Sequence, residues 1–103
     1  MKIPKSISVL GHTIKIILKP RVYLMKAEKA GVASYNEGLI EIATRATSED
    51  VKVSPDNLKE VFWHEVNHMI DDALNIGLTE NQIILLTRGQ IAVIKDNNLD
   101  LRK

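Results

Sequence analysis

The sequence predicts an α+β domain, a small antiparallel sheet of N-terminal hairpins followed by two antiparallel helices. Three observations carry this. Apolar residues alternate with period two as far as Ala43, they recur at helical spacing from Leu58 onward, and 103 residues suffice for one core and not for two. Strands that precede helices, rather than alternating with them, mark an α+β domain rather than a βαβ one. Residues 1–103 therefore read as a single domain.

Ile7 and Val9, then Ile14, Ile16 and Leu18, are the apolar positions of a first hairpin, with Gly11-His12 between its strands. At that turn His12 reads as a solvated residue. Pro20 lacks the N–H a ladder needs and stops the second strand. Val22 to Lys26 fits a short strand or an irregular connection. In VASYNEGLIEIAT, Asn36-Glu37-Gly38 reads as the turn of a second hairpin and Leu39 to Ala43 as its returning strand. Thr44 to Val53 is polar and reads as a loop.

Ser54-Pro55 opens the first helix, with Ser as N-cap and Pro at the first helical position. Leu58, Phe62, Val66, Met69, Ile70 and Ala73 form its core stripe, and Gly77 marks its end. Thr79, with Gln82 three residues on, is a capping-box pattern. Ile83 to Ile94 is a mostly apolar helix, interrupted by Arg88-Gly89-Gln90 and closed by Asp96-Asn97-Asn98. Its apolar surface serves either the core or a dimer, so the oligomeric state stays open.

Composition narrows the function. With 14 basic and 13 acidic residues the net charge is +1, which gives no electrostatic case for nucleic acid or an anionic membrane as partner. No apolar run approaches the ~20 residues of a spanning helix and no signal peptide is visible, so the expected location is the cytoplasm. There are no cysteines, so any metal must be held by His, Asp or Glu.

FWHEVNH, from Phe62 to His68, is where such chemistry concentrates. Residues four apart share a helix face, so His64 and His68 can aim their imidazoles at one ion. Imidazole nitrogens at ~2.0–2.1 Å suit zinc. Glu65 is rotated by about 100° from His64; it reaches less easily into the same chelate and more easily a water beside the ion. This is the HExxH pattern, with the glutamate as general base. The stripe Asn57, Glu60, His64, Asn67, His68, Asp71 and Asn75 is polar, with Asp72 at its border, and reads as facing a cleft or solvent.

A catalytic zinc needs a third protein ligand. No histidine follows His68, and Asp71 and Leu74 stand where the metzincin glycine and third histidine would be. A carboxylate remains. Between Leu74 and Ile94 the acidic residue is Glu80, whose ordinary role would be to complement a helix N-terminus. In a straight antiparallel pair Glu80 would lie nearer the level of Leu74 than of His68, so it reaches the site only if the first helix bends or ends early near Asn75 to Gly77. Asp72, one turn beyond His68, is the alternative, as a ligand or as a group orienting one. Asp71 reads as solvated.

HEVNHMIDD, then a Gly, a capped LTENQI and a helix ending in KDNN, resembles the small HExxH zinc metallopeptidases of the gluzincin type, nearest the phage metallopeptidases and the ImmA/IrrE-like group. The resemblance covers the second half well and the sheet in outline. It implies a minimal zincin-like domain that hydrolyses a peptide bond in a peptide or protein substrate. His64 and His68 match the zinc ligands and Glu65 the base acting on zinc-bound water. Glu80 matches the downstream glutamate ligand by elimination, at a shorter spacing than in the large gluzincins and without their NExxSD-like surroundings. The resemblance also implies that an edge strand, here Gly38 to Ala43, lies along the cleft and takes substrate as an added strand. Tyr35 and Tyr23 are possible oxyanion donors, though more often ordinary sheet aromatics. The competing readings are a zinc-binding adaptor without turnover and a small interaction domain in which the motif is coincidental.

Overall fold

The computed structural model describes residues 3–45 and 51–99. The elements run β1 (Ser6–Val9), β2 (His12–Lys19), β3 (Val22–Leu24), β4 (Ala27–Lys29), β5 (Gly31–Ser34), β6 (Leu39–Ala43), α1 (Pro55–Leu74) and α2 (Glu80–Asp96). The class is α+β, as the sequence predicts, with a four-stranded sheet in the order β1-β2-β6-β5 and a separate β3–β4 hairpin.

Both predicted hairpins form. β1 pairs antiparallel with β2, and β5 with β6. The first turns at Leu10-Gly11, both in the left-handed region at φ 50 and 83, so His12 lies in β2 opposite Val9. His12 is not the solvated turn residue expected. Its Nε2 donates to the Tyr35 carbonyl at 3.1 Å, and the two rings lie 5.0 Å apart.

The sheet is not wholly antiparallel. β6 runs parallel to β2, from Lys15↔Leu39 to Lys19↔Ala43. After Pro20 the chain makes the β3–β4 hairpin, comes back along β5, and turns at residues 35–38, so that β6 heads the same way as β2 and fills the place between β2 and β5. Leu39 to Ala43 is therefore an interior strand and not the expected edge; the edge on this side is β5. The β3–β4 hairpin takes the place of the single short strand or connection expected. It turns at Met25-Lys26, both left-handed at φ 53 and 69, without the Gly or Asn that usually announces such a turn. Of the predicted loop Thr44 to Val53, residues 46–50 lie outside the described residues, and Arg45 forms an isolated bridge with Lys52.

The core lies between one face of the sheet and α1. Ile14, Ile16, Ile40 and Ile42 meet Phe62, Val66 and Met69. α2 packs on α1 rather than on the sheet. The helices are antiparallel: Arg88 Nε comes within 3.6 Å of Glu60 Oε1 and Lys95 Nζ within 3.7 Å of Asp56 Oδ2. α2 passes through Arg88-Gly89-Gln90 without interruption. No helix among the described residues is long and apolar enough to cross a membrane.

Both predicted N-caps are present. Ser54 Oγ accepts from the Asn57 N–H at 3.2 Å. Thr79 and Gln82 form the full capping box, at 3.1 and 2.8 Å. α1 stops at Leu74, three residues before Gly77, with Asn75 in the left-handed region at φ 53. Asp71 holds this ending and is not simply solvated. Its Oδ1 accepts from the N–H of Gly77 at 2.8 Å and of Leu78 at 3.0 Å, two donors past the helix end that the ladder cannot reach. Asp71→Ala is expected to destabilise the protein by about 1–2 kcal/mol, by analogy with lost caps. Urea unfolding checks this, and a change within ~0.5 kcal/mol would show the bonds to be dispensable.

Candidate metal centre

The early end of α1 is what brings Glu80 to the histidines. The turn from Asn75 to Thr79 is short, and the Thr79 cap makes Glu80 the first residue of α2. Its carboxylate reaches back: Oε1 lies 2.8 Å from His64 Nε2 and Oε2 lies 3.0 Å from His68 Nε2. The two Nε2 atoms are 3.1 Å apart. His64, His68 and Glu80 are the group among the described residues whose side chains converge closely enough to hold an ion. Asp72, the alternative third ligand, is exposed and lines the same cleft but lies outside this cluster.

These distances fit a metal. Ligands ~2.0–2.1 Å from a tetrahedral centre stand about 3.3 Å from one another, and the contacts here fall just below that. Two neutral imidazoles and one carboxylate are a donor set suited to zinc. The imidazoles are partly buried, whereas the Glu80 side chain is 61 % exposed. The cluster thus lies at the wall of a cleft of about 1000 Å³, which Gly31, Glu65 and Ile84 also line.

Glu65 lies beside the cluster, not in it. Its residue surface is 6 % exposed. Burial, and then the nearby Glu80 carboxylate, push its pKa up from 4.5 to about 7. No described residue donates it a hydrogen bond, so its carboxylate is left as an acceptor facing the cleft. β5 crosses α1 closely at this point. A Cβ on Gly31 would stand 2.8 Å from Val61 Cγ1, 3.1 Å from Glu65 Cγ and 3.2 Å from Glu65 Oε2. Glycine is favoured there because a Cβ would collide with Val61 and press on the Glu65 side chain.

The raised pKa sets an expected pH dependence for the metal-free protein. Between pH 4.5 and about 7 the folded chain keeps a proton on Glu65 that the unfolded chain has lost. Stability is therefore fullest below pH 4.5, as far as this group is concerned, and falls as pH rises to about 7. The loss is of order 3 kcal/mol at most. Urea titrations across this window read it, and Glu65→Gln should remove the slope. An equal slope in the variant would assign it to other groups.

The polar stripe of α1 divides its work differently from the sequence expectation. Asn67 is buried, not cleft-facing, and its Nδ2 donates to Thr87 Oγ1 at 2.9 Å and to Gln90 Oε1 at 2.8 Å. Thr87 Oγ1 in turn donates to the Ile83 carbonyl at 2.8 Å. This buried network fixes the register of α2 on α1, and with it the height of Glu80. Nothing in the sequence distinguishes Asn67 from its polar neighbours. Gly31 and Asp71 were likewise missed as contributors, since their roles depend on close approach and on a helix end. Tyr23 and Tyr35 are both absent from the cleft lining, whose cations are Lys29, Arg45 and Arg88. Compared with known proteins, the chain matches no family model, no curated protein and no solved structure.

Proposed function

We propose that the chain is a minimal zinc-dependent peptide hydrolase of zincin-like build, with His64, His68 and Glu80 holding the metal and Glu65 as general base. The observation that carries this reading is the meeting of both imidazole Nε2 atoms with one carboxylate, 2.8 to 3.1 Å from one another, beside a separate buried carboxylate whose pKa is raised to about 7. Bound zinc would acidify a water and polarise a carbonyl. The protein's own groups do the rest. Glu65 is a carboxylate acceptor beside the cluster, so it could take a proton from water and return it to a leaving amine. The cleft wall beside it limits competing solvent.

The substrate would be a peptide in extended form. β5 is an edge strand that touches Glu65 through Gly31, so a peptide added along it would pass the base and the cluster together. This moves the expected substrate strand from Gly38–Ala43 to Gly31–Ser34. A non-catalytic zinc adaptor is less well supported, because such a module has no use for a largely buried carboxylate in its cleft beside the cluster.

Zinc content and thermal stability test the reading. About one zinc per chain is expected by elemental analysis. Zinc at 100 times its dissociation constant should stabilise by about 2.7 kcal/mol, which raises the melting temperature of a domain this size by roughly 10–20 °C. No bound zinc and no shift after zinc is offered would refute the metal site, and hydrolysis with it.

A further inference from the structure

α2 has two faces. One buries Ile83 and Thr87 against α1. The opposite face carries Leu85, Leu86 and Val93, which are 57 %, 46 % and 53 % exposed, with Gly89 among them. Among the described residues no atom lies within 4 Å of the place a Gly89 Cβ would take. Glycine in a helix interior is destabilising relative to alanine, and none of the described residues uses the space it leaves. The residues around it are arranged symmetrically. Leu85 and Val93 stand four positions to either side of Gly89, Leu86 and Ala92 three, and Gln82 and Asp96 seven.

We propose that α2 pairs with α2 of a second copy of this chain, antiparallel, about a two-fold axis at Gly89. A two-fold axis places each position before Gly89 against the position equally far after it. Leu85 then meets the partner's Val93, Leu86 meets the partner's Ala92, and Gln82 meets the partner's Asp96. Apolar side chains face apolar ones and polar face polar. Glycine against glycine at the crossing lets the axes approach the near end of the usual 8–10 Å range.

Charge is complementary as well. Asp96 stands in the last turn of its own helix, where a negative charge opposes the helix dipole. In the pair it lies beside the positive first turn of the partner's α2. The same pairing carries Leu99, 53 % exposed, toward the end where Leu74 and Ile76 are 56 % and 51 % exposed. Gly89 is nine residues, or two and a half turns, beyond Glu80. The two lie on opposite sides of α2, so the dimer leaves the cleft open. A helix of 17 residues is about 25 Å long. One such pair covers less than the ~800 Å² per partner of a standard interface, so the dimer is weak.

Sedimentation equilibrium of the full chain from about 1 to 500 μM, a range suited to weak association, tests the proposal. The expected result is a concentration-dependent dimer. Leu85→Glu should be monomeric throughout, with its melting temperature in dilute solution unchanged within a few degrees. Gly89→Ala should separate the two effects of glycine: a higher melting temperature for the dilute monomer and a dimer weakened about tenfold, since ~1.4 kcal/mol is one decade. A wild type that stays monomeric at the highest concentration overturns the proposal. So does a dimer that survives Leu85→Glu, or one that Gly89→Ala tightens.

Discussion

His68→Ala is expected to purify without zinc. The substitution removes one of three ligands whose atoms stand about 3 Å apart and leaves His64 and Glu80 as a two-point site. Structural zinc sites bind with ~10–16 kcal/mol over four ligands, so one ligand is worth roughly 3 kcal/mol. The expected loss is 10²-fold or more in affinity, and the thermal shift on adding zinc should vanish with it. Because His68 is partly exposed, the metal-free variant should melt close to metal-free wild type. Elemental analysis of the two proteins side by side reads the first effect, and thermal melts with and without zinc the second. Zinc retained at one per chain would mean that Asp72 or another group is the ligand.

Glu65→Gln is expected to keep its zinc and lose hydrolysis. The amide is nearly the same size and cannot accept the proton. Losing a general base costs about 10²–10⁴ in rate, and the effect should fall on kcat with KM changed only a few-fold, since Glu65 is not expected to hold the substrate. In the metal-free state the variant should also be more stable than wild type above pH 7, because a carboxylate whose charge is disfavoured by burial and by Glu80 is replaced by a neutral group. The pair of results separates the competing functions. An adaptor would keep both its zinc and its binding activity in Glu65→Gln, whereas a hydrolase keeps only the first.

What the sequence revealed was local. The two hairpins, both N-caps, the helix that carries His64 and His68, and the placement of Glu65 beside them all depend on residues at most eleven positions apart. What it hid was non-local. No alternation in Ile14-Ile16 or Ile40-Ile42 tells whether β2 and β6 run parallel, because the same faces are buried either way. The β3–β4 hairpin was hidden for another reason: Met25 and Lys26 adopt a turn conformation that their side chains disfavour. Glu80 could be named as a ligand candidate by elimination, but the geometry that lets it reach the histidines comes from Asp71, Asn75 and Gly77 acting together. Asp71 and Gly31 carry no signature, since an aspartate near a helix end and a glycine at a strand start are both commonplace.

The insertion of β6 between β2 and β5 has a consequence for the order in which the molecule folds. Lys15 and Leu39 pair across 24 positions, 39 minus 15, whereas each flanking hairpin closes on a tight turn. Contacts so far apart in the chain lose entropy before they gain energy, and topologies rich in them fold slowly. The sheet is thus assembled from two quickly formed hairpins whose docking is the slow event. His64, His68 and Glu80 all belong to the helical half. The close-packed surroundings of Glu65 do not, because Gly31 arrives only with the second hairpin. On the proposed reading, the surroundings of the base are completed only when the second hairpin docks, whereas the candidate ligands share one stretch of chain from His64 to Glu80.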